Sequence, residues 1–427
     1  MFLICLDWNW VMRWTFIVMY QYRPHYTRRM PGLWNRSFFK CVLTLTVFTV
    51  VLIFGFYSFN FVRETDGEVR RQMNDDGQLS PSPVNQHQMR LKTILLWNPN
   101  ADRVEIVTFG SGREAFTVCR LPPDQHCELV TNKTLRPIES YDAVVVNAPV
   151  IQWSEPGTET LPLLFSSRKG HQRIVFFSQE SPVHTWGTRV DPNKFEGYFN
   201  WTMTYRSDSD IPLSYGRIRA FKPMEMRPSM QQIRNKTNLV AWMVSHCQTD
   251  SHREDYVNEL KLHIDVDVYG DCGPLKCPRS WDFTSSNCYD MVESKYKFYL
   301  SFENAICRDY VTEKFFEALR RDIVPIVYGG ANYSRIAPPH SFIDARQFKP
   351  QQLAEYLKLL DANDALYSEY LAWKQHYVVT EAGLSQMNRY GFCDLCRKLH
   401  QDKEPDTCLN IAAYWGTTET CHRIIPR

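Results

Sequence analysis

Residues 296–314 read YKFYLSFENAICRDYVTEK. The first seven are apolar or aromatic apart from one lysine and one serine, which is typical of a buried strand. A polar loop follows, and Thr312 or Asp309 is placed to cap a helix that contains Glu313 and Lys314. A strand that leads through a polar loop into a helix is the repeating unit of a parallel α/β sheet. The stretch therefore predicts an α/β fold in which polar groups collect at the carboxyl end of a strand.

Further strand and helix patterns extend on both sides of this stretch. A first set of apolar runs covers residues 93–97, 143–146 and 173–177, and a second covers 239–244, 264–270, 298–302 and 323–327. Helical patterns occur at 253–263 and 312–321. Two such sets predict two α/β domains, an N-terminal one at 91–225 and a C-terminal one at 236–390, followed by a cysteine-bearing segment at 391–427.

Composition narrows the class of protein. The chain has 427 residues, 44% of them hydrophobic, and a net charge of +2. This is enough apolar material for two globular domains and an anchor, so a disordered protein is excluded. A net charge so close to zero supplies no long-range field for a polyanion, and we therefore expect no nucleic-acid partner.

An uncharged apolar segment lies near the N-terminus. Residues 41–62 contain no Asp, Glu, Lys or Arg and are long enough to cross a bilayer, whereas a core helix of this length would normally carry a polar stripe. Basic residues precede the segment and acidic ones follow it, which predicts a cytosolic tail at 1–40, a signal anchor at 41–62 and a type II single-pass topology. The polar residues 63–90 are expected to form a stem.

Cysteines and sequons indicate an oxidising compartment. Eleven of the thirteen cysteines follow residue 100. The same region has Asn-x-Ser/Thr sequons at Asn132, Asn200, Asn235 and Asn332, which predict a glycosylated lumenal domain. Four cysteines near the end, Cys393, Cys396, Cys408 and Cys421, also permit a zinc site, but in a lumenal chain disulfides are favoured.

Three positions carry candidate chemistry. Glu180 follows a predicted strand and is a candidate general base, with a surface glutamate in a turn closed by Pro182 as the alternative. The helix start at Glu313 and Lys314 suits a diphosphate, although an ordinary capped helix would look the same. Arg253 opens another predicted helix and could clasp phosphate oxygens, or be a surface residue.

These fragments, in this order, resemble the alpha-(1,3)-fucosyltransferase family. The resemblance is carried by Phe302-Glu303-Asn304 with Asp309 to Lys314, by Val324 to Val327, by Glu180-Ser181-Pro182, by Tyr205 to Asp210 and by Cys393-Asp394-Leu395-Cys396. It covers roughly residues 91 to 400. The cysteine-bearing residues 269–279 resemble an insert of invertebrate C-like and core-type members.

The resemblance implies a fold, a reaction and a set of roles. It implies two Rossmann-like domains of the glycosyltransferase-B type, and inverting transfer of fucose from GDP-fucose to O3 of an N-acetylglucosamine in glycoprotein glycans at the Golgi membrane. Glu180 would be the base, and the donor would be bound by Arg253, Asn304, Tyr310, Glu313 and Lys314. No metal would be obligatory, and Cys393 and Cys396 would pair back to Cys119 and Cys127.

Several alternatives stay open at this point. The rival functions are an inactive lectin-like homologue and a metal-dependent lumenal glycosyltransferase. The acceptor could be the asparagine-linked N-acetylglucosamine of an N-glycan or a peripheral one in a Lewis-type antenna.

Overall fold

The computed structural model describes residues 90–98, 109–151, 168–187, 190–222, 236–277, 286–403 and 409–422. The predicted tail and anchor, and all of the predicted stem except Arg90, lie outside these ranges, and Arg90 itself begins the first strand. Within them no helix is both long enough and apolar enough to span a membrane. The described residues belong to one compact unit, 86–427.

The first sheet has six strands in the order β2-β1-β3-β4-β5-β6, and all its pairings are parallel. Its strands are β1 (Arg90–Leu96), β2 (Gln125–Val130), β3 (Ala143–Asn147), β4 (Arg173–Ser178), β5 (Trp201–Thr204) and β6 (Ile211–Pro212). Every residue of β3 and β4 is buried, which explains why these strands have no polar alternation: both faces of a parallel sheet are covered.

The second sheet has five strands in the order β12-β11-β10-β8-β9, again all parallel. Its strands are β8 (Asn238–Met243), β9 (Val266–Tyr269), β10 (Tyr296–Phe302), β11 (Val324–Tyr328) and β12 (Ile343–Asp344). The strand of the opening sequence, β10, lies at the centre and is buried throughout. The predicted α/β class and both strand sets are confirmed.

Helices and a small ribbon complete the unit. The helices are α1 (Ala148–Ile151), α2 (Pro182–Trp186), α3 (Arg253–Leu260), α4 (Ser286–Lys295), α5 (Glu313–Arg320), α6 (Pro350–Asp361), α7 (Asp364–Glu369), α8 (Leu384–Gln401), α9 (Ile411–Trp415) and α10 (Thr417–Thr420). Strands β7 (Gly216–Ala220) and β13 (Tyr377–Ala382) pair antiparallel as a separate ribbon.

Helix α5 connects the two sheets through the core. It packs against β10 and β11 and also against the ribbon β7–β13. The contact is close because Gly216 has no side chain: a Cβ there would lie 2.1 Å from Cγ of Phe316. One hydrophobic cluster accordingly runs from the first sheet to Phe315 and Phe316 of α5.

The C-terminal part returns to the first sheet. Helix α8 packs against β1, β2 and β6, and disulfides join Cys119 to Cys393 and Cys127 to Cys396. These are the two pairs of cysteines that the resemblance implied would be joined. The returning segment begins at Leu384, a few residues before the predicted boundary.

Candidate functional site

Glu180 lies between β4 and α2, where the chain leaves the carboxyl end of the first sheet. Pro182 occupies the first turn of α2, a position that proline favours, and so ends the loop two residues after Glu180. The Glu180 side chain is 47% exposed. The hydroxyl of Tyr310 donates a hydrogen bond to its Oε2 over 3.2 Å. A half-exposed carboxylate therefore meets a residue from the loop that follows β10.

His184 lies one helical turn after Glu180 and next to Asp250; we call these three residues the Glu180 cluster. Its Nδ1 lies 3.8 Å from Oε2 of Glu180, and its Nε2 lies 3.6 Å from Oδ2 of Asp250. Burial lowers the pKa of His184, as do the charges of His246 and Arg253, although the two carboxylates raise it. Sequence reasoning missed His184 and Asp250; the spacing of Glu180 and His184, four apart across a helix start, was the available signal.

Arg253 begins α3 and is buried, at 3% exposure. Its Nη1 donates to the carbonyl of Phe302 over 2.6 Å, and its Nη2 donates to the carbonyl of His246 over 3.1 Å. The carbonyl of Phe302 marks the end of β10, so the guanidinium is fixed at the carboxyl edge of the second sheet. The surface alternative for Arg253 is wrong.

Lys314 lies in the first turn of α5 among three oxygen-bearing side chains. Its Nζ is 2.9 Å from Oε1 of Glu313, 2.9 Å from Oγ1 of Thr312 and 3.6 Å from Oε2 of Glu303. Burial works to lower the pKa of Lys314, but the carboxylates of Glu313 and Glu303 outweigh it and raise that pKa. Burial works to raise the pKa of Glu313, and the Lys314 ammonium overcomes it and lowers that pKa. The lysine is therefore held charged at the helix start.

Glu303 is hydrogen-bonded to Thr312, just before the start of α5. Sequence reasoning gave Glu303 no role. Its side chain is fully buried and accepts hydrogen bonds from the Thr312 backbone N–H at 2.8 Å and from the Thr312 hydroxyl at 2.8 Å. Burial raises the pKa of Glu303. Thr312 stands at the N-cap position as predicted, but its side chain does not cap the helix; it bonds Glu303 instead.

Asn304 follows Glu303 at the strand end. Its backbone carbonyl accepts from the Ser251 N–H over 3.1 Å. Its side-chain oxygen is buried and has no hydrogen-bond partner among the residues that the structure describes. A buried acceptor without a donor is costly, so a ligand that brings a donor to this position would be favoured.

Tyr310 is buried between the two sheets. Its ring centroid lies 4.8 Å from that of Tyr205, and its hydroxyl donates to Glu180. The preceding residue, Asp309, has a left-handed φ of 60° and accepts from the Ser207 hydroxyl over 2.7 Å. Three contacts thus join the loop after β10 to loops of the first sheet.

Asp208-Ser209-Asp210 has the Asp-x-Asp pattern found in metal sites, but both of its carboxylates bind other protein groups. Asp208 pairs with Arg206 and Arg308, and the hydrogen bond from Arg206 lowers its pKa. Asp210 accepts from the Thr202 backbone and hydroxyl. The two carboxylates have separate partners.

The predicted glycosylation sites differ in how exposed their asparagines are. Asn132 and Asn332 are exposed, whereas Asn235 lies outside the described residues. Asn200 is only 5% exposed, and its Oδ1 accepts from the Ile174 N–H over 2.8 Å. Because a glycan needs an accessible amide, glycosylation at Asn200 is incompatible with this fold, and that prediction is wrong.

Ten of the eleven cysteines that follow residue 100 form five disulfides. Besides the two that hold α8, the pairs are Cys247–Cys272, Cys277–Cys288 and Cys307–Cys421. Cys393, Cys396 and Cys421 are thereby taken up, so the zinc alternative is wrong for them. The eleventh of these cysteines, Cys408, lies outside the described residues.

Comparison with known proteins agrees with this layout. The family "Glycosyltransferase family 10 (fucosyltransferase) C-term" matches residues 233–415, and "Fucosyltransferase, N-terminal" matches residues 89–216. "Alpha-(1,3)-fucosyltransferase C" of Drosophila melanogaster is 37% identical over 342 residues, which cover 72% of this chain and 73% of that protein.

Two further proteins are similar. "Glycoprotein 3-alpha-L-fucosyltransferase A" of Drosophila melanogaster is 36% identical over 78% of this chain, and the match spans 62% of its own length, less than two thirds. A solved structure, "Crystal Structure of alpha1,3-Fucosyltransferase with GDP-fucose", aligns over 79% of this chain and 96% of its own, with a TM-score of 0.47 and 15% identity.

Proposed function

This chain belongs to glycosyltransferase family 10, the fucosyltransferases, and on that premise we propose how its site transfers fucose. It is an alpha-(1,3)-fucosyltransferase, as its fly relative is named. The reaction we propose is inverting transfer of fucose from GDP-fucose to O3 of an N-acetylglucosamine in glycoprotein glycans. The two sheets would act as the two lobes of a glycosyltransferase-B enzyme.

Glu180 is the proposed general base. It would take the proton of the acceptor O3 while that oxygen attacks the anomeric carbon of fucose and the bond from that carbon to the diphosphate oxygen breaks. Attack from the face opposite the leaving GDP inverts the anomeric configuration. The support is the position of Glu180: half-exposed, at a strand end, and hydrogen-bonded to Tyr310 from the loop of the second sheet.

Lys314 and Arg253 are the proposed partners of the departing diphosphate. Lys314 is charged and stands at the N-terminus of α5, where free backbone N–H groups also favour an anion. Arg253 is fixed nearby by two carbonyls, and its positive charge acts on both His184 and Lys314. Two cations and a helix terminus can stabilise the negative charge that develops on GDP, so we propose that no metal is obligatory.

Asn304 and Glu313 are the proposed contacts to donor hydroxyls. The buried Asn304 oxygen has an unused acceptor position, and Glu313 is kept ionised by Lys314. Both can accept hydrogen bonds from sugar or ribose hydroxyls. Tyr310, which sequence reasoning placed on the donor, would contribute by orienting Glu180.

The cellular setting is also a proposal. The uncharged residues 41–62 would anchor the enzyme in the Golgi membrane with the catalytic unit in the lumen, where the disulfides are stable. A relative is named for a glycoprotein acceptor, which supports a glycoprotein substrate here.

The observation that carries the proposal is the Tyr310–Glu180 contact, because it places the candidate base beside the loop that leads to Lys314. Glu180→Gln keeps the size of the side chain and removes its basicity. We expect purified lumenal protein with this change to bind GDP normally by calorimetry and to lose roughly 10²-fold or more of its transfer rate. Unchanged transfer would remove Glu180 from the mechanism.

Two control experiments distinguish the proposed function from the two alternative functions. An inactive lectin-like homologue would show glycan binding but no fucose transfer in the unaltered chain. A metal-dependent enzyme would lose transfer on addition of a chelator, whereas the proposed enzyme would keep it.

A further inference from the structure

A cavity of about 320 Å³ lies beside the Glu180 cluster. Four of its lining residues come from the two lobes: Val183, Asp250, Ala305 and Ile306. The other four belong to the last part of the chain that the structure describes: Thr417, Thr418, Cys421 and His422. We call residues 417–422 the C-terminal wall.

The C-terminal wall is fixed to the loop after β10. Cys421 is disulfide-bonded to Cys307. On either side of that bond, the Arg308 N–H donates to the Thr420 carbonyl over 2.7 Å, and the His422 N–H donates to the Ile306 carbonyl over 2.8 Å. Cys421 and Cys307 therefore form an antiparallel bridge, which holds the C-terminal wall against the loop after β10.

The lining chemistry disfavours an anion. Among the lining residues there is no lysine or arginine; His422 is the one side chain there that can become cationic, and the one carboxylate, Asp250, would repel a diphosphate. The hydroxyls of Thr417 and Thr418 can donate and accept hydrogen bonds. Apolar surface comes from Val183, Ala305 and Ile306. Hydroxyl partners beside apolar patches fit a neutral sugar, which has polar edges and an apolar ring face.

The size and position of the cavity agree with this. Ligand pockets range over roughly 300–1,000 Å³, so this cavity suits one sugar ring and not a nucleotide sugar. Asp250 is 3.6 Å from His184, and His184 is 3.8 Å from Glu180, so the cavity adjoins the candidate base through two contacts.

We propose that this cavity is the acceptor subsite: it takes the N-acetylglucosamine ring whose O3 is fucosylated, and the C-terminal wall supplies one side of it. The inference rests on the proposed function and adds a binding site to it. It makes residues 417–422 a determinant of acceptor affinity, distinct from the residues that bind the donor.

Filling the cavity tests the proposal. Thr418 is exposed, so Thr418→Trp can occupy the space without disturbing the core; Thr117→Trp places the same side chain at an exposed threonine outside the cavity lining. We expect Thr418→Trp to raise the KM for an N-glycan acceptor at least about tenfold, equivalent to about 1.4 kcal/mol. The KM for GDP-fucose should stay as in Thr117→Trp.

A binding measurement makes the result independent of turnover. Saturation-transfer NMR with methyl N-acetylglucosaminide should show contact with the unaltered protein and lose it in Thr418→Trp. A rise in the KM for GDP-fucose instead, or an NMR contact that survives Thr418→Trp, would overturn the subsite. An unaltered protein that binds the glycoside but transfers no fucose would refute the proposed function and leave the subsite standing.

Discussion

The hydroxyl of Tyr310 donates a hydrogen bond to Oε2 of Glu180 over 3.2 Å, joining the loop after β10 to the loop after β4. Each loop leaves the carboxyl end of its own sheet, where α/β sheets place their ligands. The contact therefore ties the candidate base to the same loop that leads into Lys314.

Removing this bond should slow transfer without unfolding the enzyme. Tyr310→Phe keeps the buried ring and deletes the hydroxyl that donates to Glu180 from the loop after β10. A hydrogen bond to a charged group contributes about 1.5–3 kcal/mol, so we expect kcat to fall about tenfold or more. Steady-state kinetics would show this, with the KM for GDP-fucose nearly unchanged. A rise in that KM with constant kcat would indicate a donor contact instead.

The hydrogen bonds from Thr312 to the buried Glu303 should stabilise the folded enzyme. Thr312→Val deletes the hydroxyl donor and leaves a buried carboxylate underbonded, which should cost about 1–3 kcal/mol in the free energy of unfolding. Thr312→Ser keeps the hydroxyl and is the matched control. Denaturant unfolding measures both. Equal stability of the two variants would contradict the anchoring role of Glu303.

Lys314 should account for a large part of the affinity for GDP. Lys314→Gln removes the charge at the start of α5, and we expect GDP binding to weaken about tenfold or more, since charge-assisted bonds contribute about 1.5–3 kcal/mol. Lys358→Gln, at an exposed position of α6, is the control. Calorimetric titration with GDP compares them, and similar affinities in the two variants would exclude Lys314 from the diphosphate site.

His184 should make stability fall in mild acid. Burial lowers its pKa in the folded state below the ordinary value near 6.5, so the unfolded chain binds a proton that the folded chain does not. Its contribution is intact above about pH 6.5 and is lost as the pH falls towards the folded-state pKa. Between about pH 7.5 and 5.5 the unaltered protein should lose more unfolding free energy than His184→Gln. Parallel losses in thermal melts would refute this.

Sequon use should follow exposure. Glycopeptide mass spectrometry of protein secreted from eukaryotic cells should find glycans at Asn132 and Asn332 and an unmodified Asn200, whose amide is buried against Ile174. A glycan at Asn200 would mean that the chain near β5 packs differently from the structure described here.

The sequence predicted the strands well because buried parallel strands are continuous apolar runs, as in Val144 to Val146. It also located Glu180, Arg253 and Lys314 at the ends of strands and the starts of helices. It could not predict that Thr312 bonds Glu303 rather than capping α5, since both uses need the same residue type at the same position. Nor could it place His184 next to Asp250, because that contact joins α2 to the loop before α3, 66 positions apart in the chain.

The same reason explains the error at Asn200. Its sequon is a local pattern, whereas its burial depends on packing between β4 and β5. The C-terminal wall is a similar case: nothing in residues 417–422 alone shows that they line a cavity with Ala305 and Ile306.

The Cys307–Cys421 disulfide has a consequence for biosynthesis. Translation must reach Cys421 before the loop that carries the family signature can be locked, and the pairs Cys119–Cys393 and Cys127–Cys396 are delayed in the same way. In the proposed lumenal setting, a nascent chain would present reduced cysteines to the oxidoreductases of the secretory pathway until residue 421 has been made. A premature stop a few codons before Cys421 would leave Cys307 without its partner, and in that setting the unpaired thiol would mark the product for retention by quality control.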